Sequence, residues 1–287
     1  MIKRLSSSIR FRFRHNLRRV RNIIERTRNK VFWGEQSEKY GRFSMDLTSL
    51  TGPIRGKRVL EIGNDKEGVL LNFLAKLGAI EVTGINPSLR ESTRNGMAHL
   101  IKGDARSLPL SDSSVDLVVS ISVLEHVRNL DEVIEEAHRV LCSGGCFYAE
   151  FGPIWSATWG HHLWLYYGGQ VVNWRTHPLP PYAHLLMKPL ELREWCTARF
   201  GDANLASQIT EFVFQSPEQN RLFYSDYEAL ATNSKFETLL LTGCTDIPTG
   251  QMSGDLPISE YLTLLRQRYP DKTGFGYHVG RLLLRKR

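Results

Sequence analysis

No run of apolar residues in this 287-residue chain approaches the ~18 needed to cross a bilayer, so a soluble or peripheral protein is expected. Cysteine is scarce. Cys142, Cys146, Cys196 and Cys244 include no CxxC pair and no metal-ligand spacing with histidine, which argues against a zinc ribbon or a disulfide framework and predicts buried free thiols in a reducing compartment. Acidic residues are nearly missing from the first 30 positions, where eleven Lys or Arg meet only Glu25. The remaining chain holds 26 basic against 29 acidic side chains, so the net +7 comes from that tail alone. The rest is ordinary: 41% hydrophobic and 23% charged residues suit one α/β domain with an insertion, large enough to bury a core unaided.

Within the tail, Phe13, Leu17, Val20 and Ile24 recur at helical spacing among arginines. This predicts a basic amphipathic extension over residues 1–31, suited to peripheral contact with an anionic membrane through residues 1–30. A solvated tail and a mitochondrial presequence are the alternatives. Aromatic side chains for stacking bases are thin there, only Phe11 and Phe13, which places nucleic acid last among partners. The expected location is the cytoplasm, peripheral on a membrane, with mitochondrial targeting as the other reading.

From Arg58 the pattern changes to strand and helix in alternation. RVLEIG (Arg58–Gly63) reads as a strand, VLLNFLAKLGA as a helix, EVTGINPS as a second strand with Pro87 and Ser88 opening a helix, and His99–Lys102 as a third. Val115–Ile121 has the Val/Ile content of a strand buried on both faces, and an amphipathic helix follows with Leu130, Val133, Ile134, Ala137, Val140 and Leu141 on one stripe. Gly144-Gly145 closes that helix, and Cys146–Phe151 is the next strand. Such alternation predicts a parallel sheet whose ligand lies at the C-terminal ends of the strands. The turn GNDKEG (Gly63–Gly68) is placed to bring backbone N–H groups to that ligand, with Gly63 at the close approach.

Three strings in register, GDARSLPLSDSSVDLVV, SVLEHV and RVLCSGG, resemble the type 11 branch of class I S-adenosylmethionine (SAM)-dependent methyltransferases. The resemblance covers Val59–Phe151 well and the remainder loosely. It implies a Rossmann-like, seven-stranded, mostly parallel sheet with helices on both faces and an acceptor-side cap. It further implies SAM as cofactor, held by Glu61, Gly63 and Asn64 on the first loop, Asn86 at the ribose, Asp104 and Ala105 at the adenine, and Ser120, Ile121 and Ser122 beside the methionine moiety. The chain departs from the family pattern in three places: Asp65 and Glu67 stand at glycine positions, and Asn86 replaces the usual acid. Glu125 and His126 of LEHV are read first as support within the fold, with a part in catalysis or, as in some relatives, a border to a metal as the alternatives.

After the fifth strand, Gly152–Leu186 is crowded with tryptophan and histidine. Aromatic faces suit a sugar or another flat acceptor, and imidazole is suited to accept a hydroxyl proton near neutral pH. His161 or His162 is therefore expected as general base, with His184 as a third candidate. A zinc site on the adjacent His161-His162 pair lacks further ligands at a readable spacing, so no metal is expected.

Further along, Pro189–Phe200 and Ile258–Tyr269 read as helices and Lys235–Thr242 as a strand, with GFGYHVGRLLLRKR as a final antiparallel strand. The expected organisation is an extension (1–31), a SAM-binding core (32–151), an acceptor cap (152–234) and the C-terminal part of the sheet (235–287). The expected activity is SAM-dependent O-methylation of a sugar or glycan hydroxyl. A small aromatic or lipid, quinone-like acceptor is one alternative; a non-catalytic scaffold on the same fold is the other. Oligomeric state is not legible.

Overall fold

Arg58–Ile62 (β1), with Val59, Leu60 and Ile62 buried, is the strand about which the sheet is wound. The computed structural model describes residue 43 and residues 45–176, 178–245 and 256–287. The basic extension lies outside the described residues. Residues 45–51 are helical. Residues 55–287 form a compact unit of their own.

The sheet of that unit is completed by Glu81–Ile85 (β2), Thr93–Asn95 (β3), Ala98–Ile101 (β4), Val115–Ile121 (β5), Leu141–Phe151 (β6), Glu237–Cys244 (β9) and Val279–Arg285 (β10), in the order β3-β4-β2-β1-β5-β6-β10-β9. The strands β1, β2, β4, β5 and β6 run parallel, while β10 is antiparallel to both of its neighbours. Strand order reverses at β1 and β5, which opens the crevice where a doubly wound sheet takes its ligand.

The expected seven strands are all present, and a short eighth, β3, is added at the edge. It replaces the helix predicted to begin at Pro87-Ser88. The reason is local: Gly96 adopts φ 59° in the tight turn between β3 and β4, a conformation that Asn-Gly sequences favour. The amide of Asn72 then clamps this hairpin, donating to Asn95 O at 3.0 Å and accepting from Met97 N at 2.9 Å.

Leu130–Val140 (α2) buries Leu130, Val133, Ile134, Ala137 and Val140, the stripe read from the sequence, and carries Asp131 and Glu132 in its first turn, where they complement the helix dipole. Each fully buried Leu, Val or Ile contributes about 1.5–3 kcal/mol. The first helix, Val69–Lys76 (α1), packs on β2 and β4.

The inserted segment begins with turns and a hairpin, Trp164–Tyr167 (β7) and Gln170–Asn173 (β8), joined at Gly168-Gly169, both with positive φ. Short Ala183–Leu186 (α3) leads to Pro189–Phe200 (α4) and Ala203–Gln215 (α5). A separate core forms there around Leu163, Leu179, Leu192, Cys196, Ile209 and Val213. Tyr224–Asn233 (α6) instead places Tyr224, Tyr227 and Ala231 in the main core against Phe151 and Phe236. Ile258–Arg268 (α7) buries Tyr261 and Leu265 beside Tyr182 and Phe275. The four cysteines are free thiols; Cys146 and Cys196 are buried, whereas Cys142 and Cys244 are only partly so, being at a strand start and a strand end near the rim of the sheet. Among the described residues no helix is long and apolar enough to cross a membrane.

Candidate active site

A cavity of about 430 Å³ opens at the C-terminal ends of β1, β2, β4 and β5. Its floor is made by Ile62, Gly63, Ile85 and Asn86, one side by Asp104, Ala105 and Arg106, and the other by Ser122, Val123, His126 and Arg128.

Gly63 has φ 82°, and a Cβ there would collide with the side chain of Val123. The loop beyond it is stabilised by Asp65, whose carboxylate accepts from Glu67 N at 2.8 Å and Val69 N at 3.1 Å. Asp65 therefore caps the start of α1, which explains why an acid is tolerated where the family pattern has glycine. Behind the loop, Glu61 and Asn64 are buried, and Glu61 Oε2 and Asn64 Oδ1 have no hydrogen-bond partner. Burial, with the Asp65 carboxylate adding to it, pushes the Glu61 carboxyl up to about 8.

Asn86 is committed on both sides: its amide donates to Asn64 O at 2.7 Å and its oxygen accepts from Ser88 N at 2.8 Å. It thereby ties the ends of β1 and β2 together while still lining the cavity. Asp104 and Ala105 both face the cavity, and Asp104 is paired with Arg106 at 2.6 Å. That guanidinium holds the Asp104 carboxyl below its usual range. Ser120 is placed differently: it is fully buried and donates to Ile62 O at 3.1 Å inside the sheet. Neither it nor Ile121 borders the cavity, whose wall is built by the next residue, Ser122, with φ 54°.

The three candidate histidines separate into two places. The rings of His161 and His184 lie 5.5 Å apart in the interior of the inserted segment, both buried. His161 Nδ1 accepts from Leu163 N at 3.1 Å, and His184 Nε2 donates to Trp155 O at 2.7 Å. Burial drives both off protonation, His161 well below the usual histidine range and His184 to about 4. His162 turns the other way: its ring centroid is 5.0 Å from that of His126, on the cavity wall.

The sequence favours support within the fold for Glu125 and His126 over catalysis or a metal border, and does not show that His162 meets them. Ligand-capable atoms of Glu125, His126 and His162 all lie within 4.8 Å of one another. Glu125 is buried, with Oε1 accepting from Gly152 N at 3.0 Å and Oε2 unpartnered. Burial pushes its carboxyl up to about 8, and burial beside His126 takes His162 down to about 3. His126 Nδ1 faces Glu218 O at 2.6 Å and His162 Nδ1 faces Gly160 O at 3.2 Å. A carbonyl oxygen only accepts, so in each ring Nδ1 carries a proton, and Nε2 is the nitrogen left for another partner. From His162 an aromatic line runs outward through Trp174, at 6.4 Å, to Arg175, whose guanidinium stacks over both Trp174 and the exposed Trp164.

A second cavity of about 520 Å³ shares Val127 and Arg128 with the first and is bordered by Arg221, Asn220 and Gln219. Gln219 Nε2 is buried there without a partner.

A doubly wound sheet with a loop-and-helix ligand crevice at its switch point defines a nucleotide-type cofactor binder. Comparison with known proteins makes that specific. Residues 60–149 match the methyltransferase domain family of type 11, and this part of the chain is a class I SAM-dependent methyltransferase domain. It is 28% identical over 193 residues to an uncharacterized methyltransferase of Mycobacteroides abscessus, a match covering 60% of this chain and 73% of that protein. It is 27% identical over 161 residues to the mitochondrial 2-methoxy-6-polyprenyl-1,4-benzoquinol methylase of Mus musculus, covering 52% of this chain and 41% of that protein. The match thus spans less than half the length of the mouse relative. A SAM-dependent methyltransferase structure from Mesorhizobium loti shares the fold, with TM-score 0.50 and 15% identity over 84% of this chain and 96% of that one.

SAM is the cofactor, and the cleft fits its chemistry. The space kept open by Gly63 beside Val123 is one a Cβ would fill, and Asn86, Asp104 and Ala105 line the same cavity; Glu61 and Asn64, expected on the cofactor, lie buried behind the loop and do not border it, Asn64 Oδ1 being turned toward Gly84.

Proposed function

We propose that the enzyme transfers a methyl group to a hydroxyl oxygen of a ring-bearing acceptor. Gly63, Asn86, Asp104 and Ala105 would hold SAM, which supplies the methyl electrophile when bound. Of the three residues expected to border the methionine moiety, Ser122 would do so, joined by Val123, and Ser120 and Ile121 would not.

The observation that carries the reading is the 5.0 Å approach of His162 to His126 at the cavity wall. Of the three cap histidines, only His162 meets a residue of that wall, and it is the one taken as base; because burial holds its ring at about 3, it would accept the proton only as the forming C–O bond acidifies the hydroxyl, while His161 and His184 support the inserted segment from inside. Proton acceptance and alignment together supply the acceleration, the first worth about 10²–10⁴-fold.

The line Trp174, Arg175, Trp164 supports a flat acceptor, for which a sugar is the first reading. The resemblance to a benzoquinol methylase favours a second, a phenolic or lipid-borne ring. A basic N-terminal stretch able to rest on an anionic membrane would suit that lipid-borne substrate.

Incubating the purified chain with methyl-labelled SAM and separate panels of sugars, phenols and hydroxylated lipids tests the proposal. Label in an ether-linked product with S-adenosylhomocysteine released supports it, and the productive panel selects the acceptor. Label that appears only on nitrogen or carbon acceptors would overturn it.

A further inference from the structure

We propose that Glu125, His126 and His162 form a binding site for one divalent first-row transition metal at the mouth of the cofactor cavity. The inference deepens the proposal above and rests on its reading that the acceptor hydroxyl meets this cluster.

Two imidazoles and a carboxylate make a ligand set suited to Zn²⁺, Fe²⁺, Co²⁺ or Mn²⁺, with remaining coordination positions open. The three ligand-capable atoms lie within 4.8 Å of one another. Bonds of 2.0–2.2 Å require separations of about 3–4 Å, so side-chain adjustments of about an ångström close the set.

Independent observations point to a cation and not merely to a polar cluster. Glu125 Oε2 is buried and lacks any partner, while its other oxygen is fixed by Gly152 N at 3.0 Å. An unpartnered buried acceptor is costly, and a bound cation removes that cost. Both histidines turn Nδ1 to a backbone carbonyl, Glu218 O for His126 and Gly160 O for His162. That is the outer arrangement by which metal-bound histidines are usually oriented, with the other nitrogen left for the ion. His126 also borders the cavity, so the open positions face the cofactor cleft.

A cation here would take over from His162 the task of acidifying the acceptor hydroxyl. The acceptor oxygen binds the metal and its proton passes to solvent. The alkoxide then forms the new C–O bond as the S–C bond of the sulfonium breaks and its electron pair stays on sulfur. No oxidant or reductant is required.

The test uses the full chain, stripped with a chelator and dialysed, and titrated calorimetrically with Zn²⁺ and, by visible absorption, with Co²⁺. Expected is one ion per chain with the absorption of a nitrogen- and oxygen-ligated Co²⁺. Affinity should fall by at least about 100-fold in His162→Ala, since even outer-shell partners are worth 10–100-fold. His126→Ala and Glu125→Gln repeat the test should one variant fail to fold. Absence of saturable binding, or binding unchanged in the folded His162→Ala protein, overturns the site. Methyl transfer that survives chelation would remove the metal and leave the histidine base standing; stoichiometric metal binding without transfer to any hydroxyl would keep the site and remove the acceptor reading.

Discussion

His162 lies 5.0 Å from His126 by ring centroid, although one residue belongs to the inserted segment and the other to the loop after β5. This approach separates His162 in place from His161 and His184, whose rings lie inside the inserted segment.

Replacing His162 by Ala should lower kcat by about 10²–10⁴-fold while SAM affinity, read by calorimetry, stays within a few-fold. His161→Ala and His184→Ala should instead lower the melting temperature, because each removes a buried ring bonded to backbone. Equal kcat losses in all three at unchanged stability would refute the division.

Asp104 is predicted to bind the cofactor in spite of its pairing with Arg106. Asp104→Ala should weaken SAM binding by roughly 10–100-fold, the worth of a hydrogen bond to a charged group. Arg106→Ala should leave stability nearly unchanged, since both side chains are substantially exposed. Denaturant unfolding and SAM titration of the two variants check this pair of outcomes.

The buried Glu61 carboxyl gives a pH dependence of defined sign. Its folded value, about 8, is raised above the ordinary 4.5. The folded state therefore holds a proton that the unfolded state releases. That stabilising contribution is complete below about pH 4.5 and is lost as pH rises through about 8, at up to about 1.4 kcal/mol per pH unit for a single group. Glu61→Gln should abolish this slope in the cofactor-free protein, measured by urea unfolding at a series of pH values. A cationic ligand in the cavity on the other side of the loop should also release the proton, so the SAM binding enthalpy near neutral pH should vary with the ionisation enthalpy of the buffer.

Asp65 is predicted to be a structural cap. Asp65→Ala should destabilise the protein by about 1 kcal/mol through loss of the bonds from Glu67 N and Val69 N. Asp65→Asn, which keeps an acceptor oxygen, should recover most of that loss. Thermal unfolding of the two variants separates a cap from a charge that merely borders the cofactor.

Much of the core was readable before any coordinates. The two-sided burial of Val115–Ile121 and the single stripe of Leu130–Val140 follow from residue periodicity, and the cavity indeed contains Gly63, Asn86, Asp104 and Ala105. Where reading and structure differ, a local conformation intervened. The turn at Gly96 produced β3 in place of a helix, and of Ser120, Ile121 and Ser122 only Ser122, with its positive φ, stands at the cavity wall. Gly96 was a visible signal for the first; nothing in the run from Ser120 to Ser122 marked which of the three would face the cavity.

The sequence by itself determined the alternation of strands and helices, the family motifs and the presence of a cofactor crevice, because these depend on patterns repeated within short stretches. Only the tertiary structure decided which histidine reaches that crevice. His161 and His162 are chain neighbours of one residue type, yet the backbone turn at His162, with φ 49°, sends one ring inward toward His184 and the other toward His126. Which side chain meets which across the fold depends on how the inserted segment packs against the sheet, and no spacing along the chain encodes that meeting.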